Sequence, residues 1–158
     1  MLEVRNLTKI YEGGVLALDN VSFSVEQGEF LAVIGLSGSG KSTLLRCINR
    51  LVEPTEGQII WNGVDITEAS QDELLRIRRK IGMVFQHFNL VTRSKVLTNV
   101  LAGRLGYANS AMSLIHRFPK SDIDMAFKQM ERVGITDQAH KRADELSGGQ
   151  QQRVGIAR

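Results

Sequence analysis

The stretch "GLSGSGKST", residues 35 to 43, constrains this chain more than any other. It matches G-x-x-x-x-G-K-[ST] and lies between two segments of different character. Before it runs "FLAVIG", residues 30 to 35, apolar throughout, as expected of a strand covered on both faces. After it, Leu44, Ile48 and Leu51 repeat at helical spacing. A buried strand that feeds a helix through a glycine-rich turn is the context this motif requires. Gly35, Gly38 and Gly40, with Ser37 and Ser39 between them, let backbone N–H groups close on phosphate oxygens. The helix opening near Gly40 brings its positive end to the same spot. Lys41 is placed to reach the β- and γ-phosphates, and the Ser42 hydroxyl, with Thr43 beside it, to meet Mg²⁺. A purely structural Gly/Ser turn is the competing reading, but strand, loop, Lys-Ser and helix all agree on a nucleoside triphosphate site.

The remainder reads as an α/β protein. "VSFSVEQG" alternates Val21, Phe23 and Val25 with polar residues, the pattern of a half-buried antiparallel strand closed by Gly28. "QIIWNG" is a strand stopping at an Asn-Gly turn, with Trp61 as sheet packing. Ser70 and Glu73 form a capping box ahead of Leu74, Ile77 and Ile81. "IGMVFQ" reads as a short buried strand ending at Gln86. Ser121 and Asp124 suggest a helix start, with Ile123, Phe127 and Met130 on one face and Gly134 as its stop. Residues 103 to 120 read as a helix broken by loops.

Bulk properties exclude several classes. A formal net charge of +3, without clustered cations, makes no case for nucleic acid. The run Arg76 to Lys80 reads as a solvated helix face. Cys47 is the single cysteine, so no intrachain disulfide can form. The start "MLEVRNLTKI" lacks the apolar core of a signal peptide, and no apolar run nears the ~20 residues that span a bilayer. The expectation is a chain that is soluble and cytoplasmic when alone.

A second anion-binding helix start lies near the end, in "LSGGQQQR", residues 146 to 153. One reading is a capping box, with Ser147 as N-cap and Gln150 reaching back. The other aims the Ser147 hydroxyl and the N–H groups of Gly148 and Gly149 at a phosphate. The two readings are compatible, and the residues alone do not choose.

Phosphate loop plus "LSGGQQQR" resembles the ATP-binding subunits of ABC transporters. Tyr11, in "LTKIYEGG", matches the family's aromatic that stacks on adenine, and Gln86, in "MVFQHFNL", its glutamine that touches Mg²⁺ and the attacking water. The resemblance implies a P-loop NTPase core with a partly parallel sheet, an N-terminal antiparallel β subdomain and a helical subdomain. It implies one domain over 1–158, with the core to about residue 85 and the helical part from about 86. It also implies ATP and Mg²⁺ as ligands and a homodimer packed head to tail, each ATP held between one phosphate loop and the partner's signature. Transmembrane permease subunits, a solute-binding protein reached through them and a place on the cytoplasmic face of the inner membrane follow from the same likeness. The stretch "HFNLVTRSKVLTNV" falls where the family receives the permease.

Within the family, "TLLRCINRLVEPTEG", "NVLAGRLGY" and "RADELSGGQQQRV" resemble the ATPases of phosphonate importers. An amino-acid importer ATPase, a non-transport ABC ATPase of DNA repair or the ribosome, and a non-catalytic nucleotide-gated module are the alternatives. Gln86 and Leu146 are 60 residues apart, too close for the coiled-coil insertion of the repair type. Leu36, where proline is common, and Gly155, where alanine is, depart from the pattern. The family's Asp-Glu strand and later histidine would follow Arg158, and Asp144 or Glu145 do not take their place. The 158 residues are therefore expected to be an incomplete core that binds nucleotide and turns over almost none. His87, His116 and His140 are too scattered for a metal cluster.

Overall fold

The computed structural model describes residues 1–107 and 118–158, which form two compact units, Met1–Ile81 and Gly82–Arg158. The expected broken helix over 103–120 falls largely on residues 108–117, outside the described residues.

The first unit is built on an antiparallel sheet of four strands, β1 (Leu2–Tyr11), β2 (Val15–Val25), β3 (Glu56–Trp61) and β4 (Val64–Asp65), in the order β2-β1-β3-β4. β1 is central, pairing Val4 with Phe23 on one side and Ile59 on the other. Its alternation breaks between Val4 and Leu7, where a register shift and a left-handed Asn6 (φ 49°) keep both apolar side chains buried. An extra residue in one strand has this effect: the pleat slips and the face is restored. β3 and β4 meet at Asn62-Gly63, whose φ values of 48° and 82° are the pair of positive angles that a two-residue hairpin needs. The Asn-Gly turn and the Trp61 strand end thus stand as read from the sequence.

Helices α1 (Lys41–Ile48) and α2 (Gln71–Arg78) pack their apolar stripes on this sheet. Leu44 and Cys47 from α1, and Leu74 and Ile77 from α2, join Val4, Leu7, Leu18, Ile59 and Ile66 in one core. Burial pushes the Cys47 thiol above its ordinary pKa. The capping box of α2 forms as expected: Glu73 N–H donates to Ser70 Oγ, and Glu73 Oε2 accepts from Ser70 N–H at 3.0 Å. The Ser70 hydroxyl and then its N–H hold the Glu73 carboxyl below the usual range.

Two expected strands are not formed. Residues 30–36 and 81–85 pair with no strand, and in the first stretch Phe30 and Ile34 are more than nine-tenths exposed. The physical reason is the same for both. A parallel strand closes its N–H and C=O groups only against neighbours on each side, and the described residues contain no such neighbours. Every strand pair among the described residues is antiparallel.

The second unit is helical. Its elements are α3 (Val96–Leu101), α4 (Lys120–Arg132) and α5 (Gly148–Ala157), with short 3₁₀ turns at Ala102–Arg104, Thr136–Gln138 and Ala143–Glu145. Val96, Val100, Leu101, Ala126, Met130, Ile135, Leu146 and Val154 form its core. α4 begins at Lys120, before the expected Ser121 start, because the Pro119 carbonyl accepts from Asp122 and Ile123 and the proline's fixed φ of −56° suits a helix entry. Gly134, at φ 65°, follows the end of α4. Phe127 packs partly buried against the core and Met130 lies wholly inside it. Among the described residues, no helix is long and apolar enough to cross a membrane.

Candidate functional site

Lys41 is the first residue of α1, and its side chain folds back into the loop before it. Its Nζ donates to the carbonyls of Gly35 and Leu36 at 2.8 and 2.6 Å and to Ser39 Oγ at 3.3 Å. All three acceptors are neutral, and among the described residues Lys41 pairs with no carboxylate. The helix start beneath it has no side-chain cap and no acidic residue in its first turn. An ammonium and the uncapped N–H groups of a helix entry thus share one exposed place, with no negative charge to balance them. That arrangement draws an anion with several oxygens.

Gly40, the N-cap residue, shows why the loop needs glycine there. Its φ is 86°, and a Cβ would stand 2.3 Å from the Ala17 carbonyl oxygen on β2. Ser37, Gly38, Ser39 and Ser42 are exposed, while Thr43 is half-buried. Tyr11, at the end of β1, reaches this helix: its hydroxyl lies 3.2 Å from Thr43 Oγ1. The structure therefore brings Tyr11 together with the phosphate loop across 32 residues of sequence. Lys9 stands over the Tyr11 ring, 5.2 Å from its centroid. Sequence reasoning missed Lys9, although residues two apart on a strand share a face.

The remaining site residues belong to the second unit. At α5, Gln150 N–H donates to Ser147 Oγ at 3.4 Å, and Gln150 Oε1 accepts from Ser147 N–H at 3.0 Å. The capping-box reading is thus realised. Gly148 and Gly149 are exposed, and a Cβ at either would meet nothing within 4 Å. Among the described residues nothing requires glycine at these two positions, where each costs ~1 kcal/mol against alanine in a helix interior and less at a first turn. Asp144 pairs with Arg142, and Glu145 Oε2 accepts the Arg142 N–H at 2.9 Å.

Gln86 is exposed at the start of a turn running to Asn89. Phe88 and Asn89, two residues on, are both left-handed, with φ of 57° and 46°. The guanidinium of Arg158 donates to both their carbonyls at 2.8 Å, tying the turn to the end of α5. Burial lowers the pKa of that guanidinium from its ordinary value. The segment that follows is pinned by Asn99, which is 2% exposed. Asn99 Oδ1 accepts the Val91 N–H at 2.8 Å, and its Nδ2 donates among the carbonyls of Val91, Ser94 and Lys95 at 3.1 to 3.4 Å. Neither Arg158 nor Asn99 stood out in the sequence.

As for Mg²⁺, the described residues hold no group of three His, Cys, Asp or Glu able to bind a metal. Mg²⁺ takes one or two protein oxygens plus substrate phosphates, so the exposed Ser42 hydroxyl beside an anion site fits that mode.

A family model described as ABC transporter matches residues 18–158. The chain belongs to the ABC transporter family. This ABC chain is 54% identical over all its 158 residues to the phosphonates import ATP-binding protein PhnC of Bacillus thuringiensis subsp. konkukian. It is 56% identical to a phosphonates import ATP-binding protein PhnC 1 of a Ruegeria species. In both comparisons it spans 62% of the relative's length. Its structure resembles that of MJ0796, a bacterial ABC transporter cassette solved as a dimer, with a TM-score of 0.86 and 37% identity over 99% of this chain and 68% of that one. The same cassette has been solved in a post-hydrolysis state bound to ADP and Pi, at the same TM-score. The fold is therefore that of an ABC cassette: an α/β P-loop core with an antiparallel β part and a helical part.

Proposed function

We propose that this chain is the ATP-binding part of an ABC importer ATPase serving phosphonate uptake. The observation that carries the reading is the Lys41 ammonium, held among the described residues by Gly35, Leu36 and Ser39 oxygens above an uncapped helix start. An incoming triphosphate exchanges those neutral acceptors for charged ones, and charge-assisted bonds are roughly twice as strong as neutral bonds. Lys41 holds the β- and γ-phosphates, the loop N–H groups from Ser37 to Thr43 surround them, and Tyr11 stacks on the adenine. Ser42 is the residue of the first unit that would hold Mg²⁺, which when bound neutralises phosphate charge.

Ser147, Gly148, Gly149 and Gln150 serve the nucleotide of a second copy, head to tail. Support comes from the two exposed glycines with open space around them, and from the likeness to a cassette solved as a dimer. The chain's further partners in this reading are a transmembrane permease and, through it, a solute-binding protein; support comes from the likeness to phosphonates import ATP-binding proteins. The same likeness supports a place for the subunit on the cytoplasmic face of the inner membrane. The 158 residues bind nucleotide and turn over almost none; support comes from Asp144 and Glu145, which are both engaged with Arg142.

Titration with a fluorescent ATP analogue tests the binding. Lys41→Ala is expected to weaken it at least tenfold, and unchanged affinity refutes the assignment. Steady Mg-ATP turnover by the chain, lost in Lys41→Ala, would overturn the slow-hydrolysis reading. Co-purification with an amino-acid permease rather than a phosphonate permease would move the substrate class.

A further inference from the structure

The Tyr11 ring is held on two sides by residues of its own unit. Its hydroxyl end meets Thr43 at 3.2 Å, and one face carries the Lys9 ammonium at 5.2 Å from the ring centre. The second distance lies inside the ~6 Å range over which a cation is drawn to an aromatic face. Lys9 is half-buried, and among the described residues no carboxylate pairs with it. Its charge is felt as far as the Cys47 thiol, one helical turn beyond Thr43, where it opposes the upward push of burial. Lys9 is thus half-buried against the ring rather than out in solvent. A side chain ordered before its ligand arrives loses less freedom on binding.

We propose that Lys9 is a positioning residue for the nucleotide base. Its ammonium holds one face of Tyr11, Thr43 fixes the ring's far end relative to the phosphate loop, and the opposite face is left for the base. The inference rests on the reading above that Tyr11 stacks on adenine. A lysine near an anion site has a second possible role, as a general attractor of negative charge. The two roles separate by ligand: an attractor acts on every polyphosphate alike, whereas a ring holder acts only on ligands that carry a base.

The experiment measures the dissociation constants of ATP and of inorganic tripolyphosphate, with Mg²⁺, for the chain and for Lys9→Met, Lys9→Arg and Tyr11→Leu. Methionine keeps an apolar stem and removes the charge. Lys9→Met is expected to weaken ATP about 2–5-fold, the size of an exposed cation–π contact, and to leave tripolyphosphate unchanged. Lys9→Arg is expected to restore ATP binding, since a guanidinium also sits well on an aromatic face. Unchanged tripolyphosphate affinity also certifies that each variant is folded. Equal losses for both ligands, or no loss for either, overturn the proposal. Tyr11→Leu tests the stacking reading by itself. If it leaves ATP affinity intact, stacking fails; if it weakens ATP while Lys9→Met does not, only the role of Lys9 falls.

Discussion

Asn99→Asp would replace one atom and reverse the logic of the segment after Gln86. The amide of Asn99 accepts from Val91 N–H and donates among three carbonyls, in a site 2% exposed. Aspartate keeps the acceptor toward Val91. It replaces the donor with a second oxygen facing those carbonyls, and a charge there is both desolvated and repelled. The acid therefore stays protonated in the folded chain well above its unfolded pKa of ~3.9. A rise of roughly 2–3 units is in keeping with such burial. The sign follows from proton linkage. Because the folded pKa is raised, the variant carries no charge penalty below about pH 4, and loses stability as pH climbs toward the folded pKa. At ~1.4 kcal/mol per unit, the loss at pH 7 comes to about 3–4 kcal/mol relative to pH 4. Asn99→Leu removes both functions and leaves the Val91 N–H without its acceptor. It should cost ~1–3 kcal/mol with no such pH dependence. Urea unfolding of the three chains between pH 4 and 7.5 reads both effects. A parallel pH profile for Asn99→Asp and the unmodified chain would show that the amide donor contributes nothing.

Two other perturbations follow from the first unit. Gly40→Ala forces a Cβ into a left-handed residue, ~1–2 kcal/mol, and against the Ala17 carbonyl, a further ~1–3 kcal/mol of displacement; thermal unfolding should show a loss of about 2–5 kcal/mol, and triphosphate binding should go with it. Cys47 is fully buried and its thiol is pushed up by burial, so at pH 8 the folded chain should react with a thiol reagent far more slowly than the urea-unfolded one. Equal rates would place that side chain outside the core.

What could be read in the sequence was local. The Ser70–Glu73 and Ser147–Gln150 boxes span four residues, and the Asn62-Gly63 turn spans two, so their geometry is written in nearby letters. The phosphate loop was legible for the same reason. Strands were legible only where their partners are present: Val21 to Val25 pair with β1, whereas "FLAVIG" and "IGMVFQ" have the right composition and no neighbour among the described residues. Composition states what a segment can bury, but not whether anything is there to bury it. The contacts that shape the site were hidden by distance. Tyr11 meets Thr43 across 32 residues, and Arg158 reaches Phe88 across 70. The left-handed Phe88 could not be foreseen either, because it is neither glycine nor asparagine.

The bare stretch from Phe30 to Leu36 has a practical consequence. Phe30, Ile34 and Leu36 are 92%, 91% and 85% exposed, in a run without charge or proline. Unpaired apolar backbone of this kind is a template for any other chain that meets it. In a concentrated preparation the 158 residues should self-associate through this run, independently of nucleotide. Dilution, rather than chelation, would then be the way to obtain dispersed material. The same tendency means that an ATP-driven dimer must be distinguished from clumping before either is weighed.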